Sequence, residues 1–141
     1  MMTGSKRSSF NVALNHLVIL AKDKRKTADF ITELLDLDDA TAADGPVPGF
    51  FCCIRFDNDV TVLIAESKEH PAGHYAFKVT GEHFETLLNK LKRETRDFWA
   101  DPRMEKPFEC YEEDGKKGLY VVCPSGHGLE ILTDLQVDNE R

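Results

Sequence analysis

Residues 118–133 read GLYVVCPSGHGLEILT, and the fold is decided by how this stretch pairs with itself. Gly118 to Cys123 and His127 to Thr133 are two runs rich in aliphatic and β-branched residues, separated by Pro124, Ser125 and Gly126. A three-residue loop with proline first and glycine at the left-handed position predicts a tight hairpin. The loop length sets the register: Cys123 pairs with His127, and counting back pairs Tyr120 with Glu130. Paired residues lie on one sheet face, so a tyrosine and a glutamate stand side by side. A two-residue turn would put Val121 there instead. Along the last strand Leu129 and Ile131 point one way, toward a helix, while Gly128, Glu130 and Leu132 point the other. A carboxylate on that face needs a partner.

Upstream, His74 to Thr80 predicts a strand, and Glu82 to Glu94 a helix with Phe84, Leu87, Leu88 and Leu91 on one face. The same order opens the chain. Val12 to Leu20 reads as a strand, Asp23 as a helix cap, and Lys24 to Leu35 as a helix with Ala28, Phe30, Ile31, Leu34 and Leu35 on its apolar side. Aligning His16 with His74 superposes the two segments as a weak internal repeat. Between them, Gly49 to Phe56 and Val60 to Glu66 flank a polar turn at Asp57, Asn58 and Asp59, which predicts another hairpin. Ala40 to Pro48 reads as loop with a short edge strand before it, and Arg96 to Glu113 as an irregular, mobile stretch with one short strand near Phe98.

Composition narrows the function. With 141 residues, 41% of them hydrophobic, the chain can bury a real core. A net charge of -7 and no basic stripe argue against nucleic acid as a partner. No apolar run reaches the length of a membrane span. Residues 1–10 are polar and basic, lack the apolar stretch of a signal peptide, and read as a flexible leader; residues 135–141 read as a loose tail. Cys52, Cys53, Cys110 and Cys123 show no C-x-x-C spacing and read as small buried hydrophobes in a reducing cytoplasm.

The residues with chemical potential are few. By strand parity His74, Ala76 and Lys78 share the face away from the helix, whereas Tyr75, Phe77 and Val79 meet it. His16 or His74 alone reads most simply as a hydrogen-bonded core histidine. Glu130 is harder to dismiss, since an interior glutamate is rarely unpaired. Together, two imidazoles and one carboxylate are suitable donors for Fe, Mn, Zn or Ni and leave positions open for substrate or water. Lys78 and Tyr120 face the same cavity, with Tyr120 placed to assist catalysis. Trp99 and Arg103 lie in flanking segments that could contact substrate. His70, His83 and His127 read as solvated.

Three stretches, LNHLVILAKDKRKTADFITELLDL, HYAFKVTGEHF and GLYVVCPSGHGLEILT, resemble the vicinal oxygen chelate superfamily, which includes glyoxalase I, fosfomycin-resistance enzymes, extradiol dioxygenases and bleomycin-binding proteins. The resemblance implies an α+β fold of two βαβββ modules, here 11–69 and 70–134, whose mixed sheets curl into a cup usually completed in a homodimer. It implies metal ligands at His16 and His74 on the opening strands and Glu130 on the closing strand. The first module's last strand, VTVLIAES, offers Val62, Leu63 and Ile64 where glyoxalase I places an acid. The function implied is a divalent-metal enzyme, a Lewis acid toward a small oxygenated substrate. The alternative is a metal-free small-molecule or drug binder of the bleomycin-resistance type.

Overall fold

The structure is a computed structural model that describes residues 11–42 and 47–135. The leader 1–10 and the tail beyond 135 lie outside the described residues. Among the described residues ten elements follow one another: β1 (His16–Ala21), α1 (Lys24–Leu35), β2 (Thr41–Ala42), β3 (Cys52–Arg55), β4 (Thr61–Glu66), β5 (His74–Lys78), α2 (Gly81–Arg93), β6 (Tyr111–Glu113), β7 (Lys116–Val122) and β8 (Gly128–Asp134).

Both helices start where a side chain satisfies a free backbone donor. The Asp23 carboxylate accepts the Lys26 N–H at 3.0 Å, and the Thr80 hydroxyl accepts that of His83 at 3.2 Å. The first helix stops at Asp36, which adopts a left-handed φ of 56°. Four-residue apolar faces on each helix then pack on the sheets: Ala28, Ile31, Leu34 and Leu35 on α1, Phe84, Leu87, Leu88 and Leu91 on α2, all buried.

The strands form two sheets of identical plan, β1-β4-β3-β2 and β5-β8-β7-β6. In each, the opening strand runs parallel to the closing one and the remaining pairs are antiparallel. The fold is therefore α+β with two βαβββ units and mixed sheets. Helix-facing residues of both units join one core that includes Ile19, Ile64, Leu129 and Ile131. The opposite faces of the sheets are left open, and Val18, Leu20 and Val122 are exposed there.

Two features differ from the sequence reading. The fourth strand of the second unit is β6 at Tyr111–Glu113, not a strand near Phe98, where only isolated bridges join Trp99 to Pro107 and Tyr120. A two-residue Asp114–Gly115 turn, with φ of 53° and 75°, connects β6 to β7. Asp-Gly accepts that left-handed geometry readily. The irregular segment is also tied down: Trp99 and Tyr120 exchange backbone hydrogen bonds of 2.9 and 2.8 Å, and the Asp101 carboxylate accepts N–H bonds from Arg103, Glu105 and Lys106.

The second difference is His127, which is 2% exposed rather than solvated. Its Nδ1 accepts the Gly73 N–H at 2.7 Å while Nε2 donates to the Leu20 carbonyl at 2.5 Å, so the imidazole spans the two units. Half-buried His70 stacks on it at 4.8 Å. Next to it, buried Ser125 accepts the Lys22 N–H at 3.0 Å and bonds the Thr27 hydroxyl at 2.7 Å. The hairpin loop is thus a clasp on the end of β1. Cys52, Cys53 and Cys123 are buried and Cys110 half-buried, all as free thiols.

Candidate metal centre

The open face of the second sheet carries a cluster of His74, Tyr111, Tyr120 and Glu130. The hairpin register pairs Tyr120 with Glu130, and β5 pairs Ala76 with Glu130 from the other side. His74 starts β5, so its ring leans across this row. Its Nε2 lies 3.0 Å from Glu130 Oε1. The Glu130 side chain is 15% exposed and that of His74 51%, which leaves the imidazole edge open to a ligand. The second carboxylate oxygen, Oε2, accepts a hydrogen bond from the Tyr111 hydroxyl. Tyr120 presents its ring edge-on to His74 at 5.7 Å and tilted to Tyr111 at 5.9 Å.

These contacts fix the protonation of the phenols. Burial first, and then the Glu130 charge, push Tyr120 up to about 12. Tyr111 is driven higher still, by burial and by its bond to Glu130. Both hydroxyls therefore hold their protons throughout the neutral range. They are hydrogen-bond and proton donors rather than bases. Tyr111 is the residue that sequence reasoning misses; the signal that finds it is Asp114–Gly115, whose turn sets Tyr111 opposite Gly118.

The other candidates scatter. Lys78 is exposed on the same open face, its Nζ 2.7 Å from Asp134 Oδ2, while Lys116 Nζ binds the other oxygen, Oδ1, at 3.1 Å. Trp99 is half-buried and adjoins the site through its backbone pairing with Tyr120. Arg103 is exposed in the turn organised by Asp101. His16 opens β1 on the open face of the first sheet, where its Nδ1 lies 2.8 Å from Asn15 Oδ1.

No family model matches the chain. The glutathione transferase FosA of Serratia marcescens is 27% identical over 123 residues, spanning 84% of this chain and 79% of that one. Among solved structures, the oxidase ChaP-H1 is 34% identical with a TM-score of 0.78, covering 87% of this chain and 96% of the other. A glyoxalase/dioxygenase from Nostoc punctiforme shares the fold at a TM-score of 0.67 and 16% identity, covering 94% of this chain and all of that one, 100%. The chain belongs to the vicinal oxygen chelate superfamily.

Whether this member's residues suit a metal is a question of donors. Two donors bound at right angles to one ion, each at about 2.1 Å, lie about 3.0 Å apart. The His74–Glu130 separation of 3.0 Å suits that arrangement, and an imidazole nitrogen with a carboxylate oxygen suits a divalent ion. A third donor is lacking nearby: among the described residues no group of three or more His, Cys, Asp or Glu side chains converges to hold a metal. His16 is the donor left apart, on the corresponding strand of the other unit.

Proposed function

We propose that this vicinal oxygen chelate protein is a divalent-metal-dependent enzyme acting on a small oxygenated substrate. The observation that carries the reading is the His74–Glu130 pair, 3.0 Å apart on an open sheet face and flanked by two protonated tyrosines. The ion would be Fe, Mn, Zn or Ni, held by His74 and Glu130 of one chain and His16 of a second copy. When bound, it supplies Lewis-acid polarisation of a substrate oxygen.

The chain's own groups supply the rest. Tyr120 is the catalytic residue: its hydroxyl keeps its proton at neutral pH and donates it, or a hydrogen bond, to oxygen as charge develops. Lys78, Trp99 and Arg103 form the periphery against which substrate is oriented, Lys78 sharing the Asp134 carboxylate with Lys116. The open faces support a homodimer. Val18 and Leu20 beside His16, and Val122 near His74, are apolar and exposed, and laying one open face on the other removes them from water while bringing His16 to the ligand pair.

The test is metal content. Purified protein reconstituted with Fe, Mn, Zn or Ni should hold about one ion per chain, and His74→Ala and Glu130→Ala should each lose it while keeping a wild-type circular dichroism spectrum. Undiminished metal in both variants contradicts the assignment.

One observation favours the metal-free binding alternative. A cavity of about 620 Å³ lies between edge strands β1 and β5, lined largely by apolar side chains such as Leu17, Ile19, Phe56 and Phe77. It falls in the size range of small-molecule pockets. That alternative gains if the protein takes up no metal on reconstitution yet binds an apolar fluorescent probe stoichiometrically.

A further inference from the structure

Tyr111 reaches Glu130 by an unusual route. It stands on β6 and Glu130 on β8, so the phenol must cross the whole width of β7. Adjacent strands are about 4.8 Å apart, and a side chain standing upright on β6 would miss the carboxylate. The residue opposite Tyr111 on β7 is Gly118. A Cβ added at Gly118 would fall within contact of the ring carbons and the hydroxyl of Tyr111, closer than atoms can approach. The ring therefore lies flat over position 118, in space that any side chain would fill. Gly118 is buried, and its backbone does not need a positive φ, so this space is the local reason for a glycine here.

The consequence is felt at the carboxylate. Glu130 has two oxygens with different duties: Oε2 is occupied by the Tyr111 hydroxyl, and Oε1 faces His74. Without the phenol, the glutamate would be free to rotate about its last bonds and present either oxygen, or both. We propose that Tyr111 and Gly118 form a positioning pair that holds the Glu130 carboxylate with one oxygen directed at the metal. The proposal rests on the reading of Glu130 as a ligand. Tyr111 acts through Glu130, and its contribution is orientation.

The pair can be tested with Co(II) as the probe, read both as affinity and as the visible absorption bands that report the number and geometry of ligands. Tyr111→Phe keeps the ring and removes the hydroxyl; Gly118→Ala keeps the hydroxyl and displaces the ring. Outer-shell partners of ligands contribute about ten- to a hundred-fold in metal affinity. Each variant should weaken Co(II) by about that factor and shift the bands, and the double variant should be no weaker than the worse single one, because both changes remove the same contact. A purely packing role would lower the melting temperature and leave affinity and bands in place. Tyr111→Phe with wild-type affinity and spectrum, in protein where Glu130→Ala has lost Co(II), overturns the positioning pair alone. Glu130→Ala that still binds like wild type overturns the ligand reading and this proposal together. If Gly118→Ala does not fold, Tyr111→Phe decides by itself.

Discussion

Glu130 sits between Leu129 and Ile131, both essentially inaccessible, yet its carboxylate emerges on the other face with two partners. Alternation along a strand makes this possible, and the need of a half-buried carboxylate for donors explains the His74 and Tyr111 contacts. The same environment fixes a pH response. The hydroxyl of Tyr120 titrates near 12 in the folded protein against an ordinary value of 10.0, so the folded state retains a proton that the unfolded state releases. That contribution is fully present below the ordinary phenol range and is lost as the pH rises through about 12. Urea unfolding from pH 9 upward should show wild-type stability falling more steeply than that of Tyr120→Phe. Equal slopes would contradict the described environment of the phenol. At this scale the sequence is informative. Tyr120 and Glu130 pair because a three-residue loop leaves no other register, whereas Tyr111 hides in a run, YEED, that has no apolar alternation.

Between elements, the clasp formed by the β7–β8 loop sets how the first unit meets the second. His127 uses both ring nitrogens, one on Gly73 next to the start of β5 and one on Leu20 near the end of β1. Truncating it empties the space of a buried side chain and leaves two half-buried backbone groups, the Gly73 N–H and the Leu20 carbonyl, without partners, each lost bond worth about 0.5–1.5 kcal/mol. His127→Ala should therefore lower unfolding stability by about 2–4 kcal/mol, measured by denaturant titration with an unchanged m-value. A loss below about 0.5 kcal/mol, typical of surface positions, would show that the clasp is not structural. Local rules reach the helices, whose caps and apolar faces lie within a few residues of one another. They do not reach His127, whose carbonyl partner is 107 positions away, and so it reads as an ordinary residue behind a turn. The strand β6 was within reach of local rules. Asp114–Gly115 is a strong hairpin signal outweighed by the polar residues before it.

For the molecule as a whole, duplication explains the arrangement. Two copies of one βαβββ plan share a helix-side core, which turns both open faces, and with them His16 and His74, away from that core. Three candidate donors are read from the sequence, His74 and Glu130 because strand parity turns each toward the face away from its helix and His16 because the internal repeat aligns it with His74. Which face lies opposite which is a property of packing between sheets, and parity is silent on it. Hence two of the three candidate donors meet within the chain and His16 does not join them. In the proposed homodimer a second copy would cover the exposed apolar residues beside His16 and His74, and two-fold symmetry would build two equivalent cups, each with one sheet from each chain.

That assembly has a direct test. His16→Ala and Glu130→Ala chains carrying different affinity tags can be co-expressed, and the mixed dimer isolated and its metal counted. If each cup draws His16 from one chain and Glu130 from the other, both substitutions fall in one cup of the mixed dimer and the other cup is intact. The prediction is about one ion per mixed dimer and none in either parent dimer, as two-fold symmetry requires. A mixed dimer as empty as its parents would mean that each site is built within a single chain, and parent dimers that keep their full metal would mean that His16 and Glu130 are not its ligands.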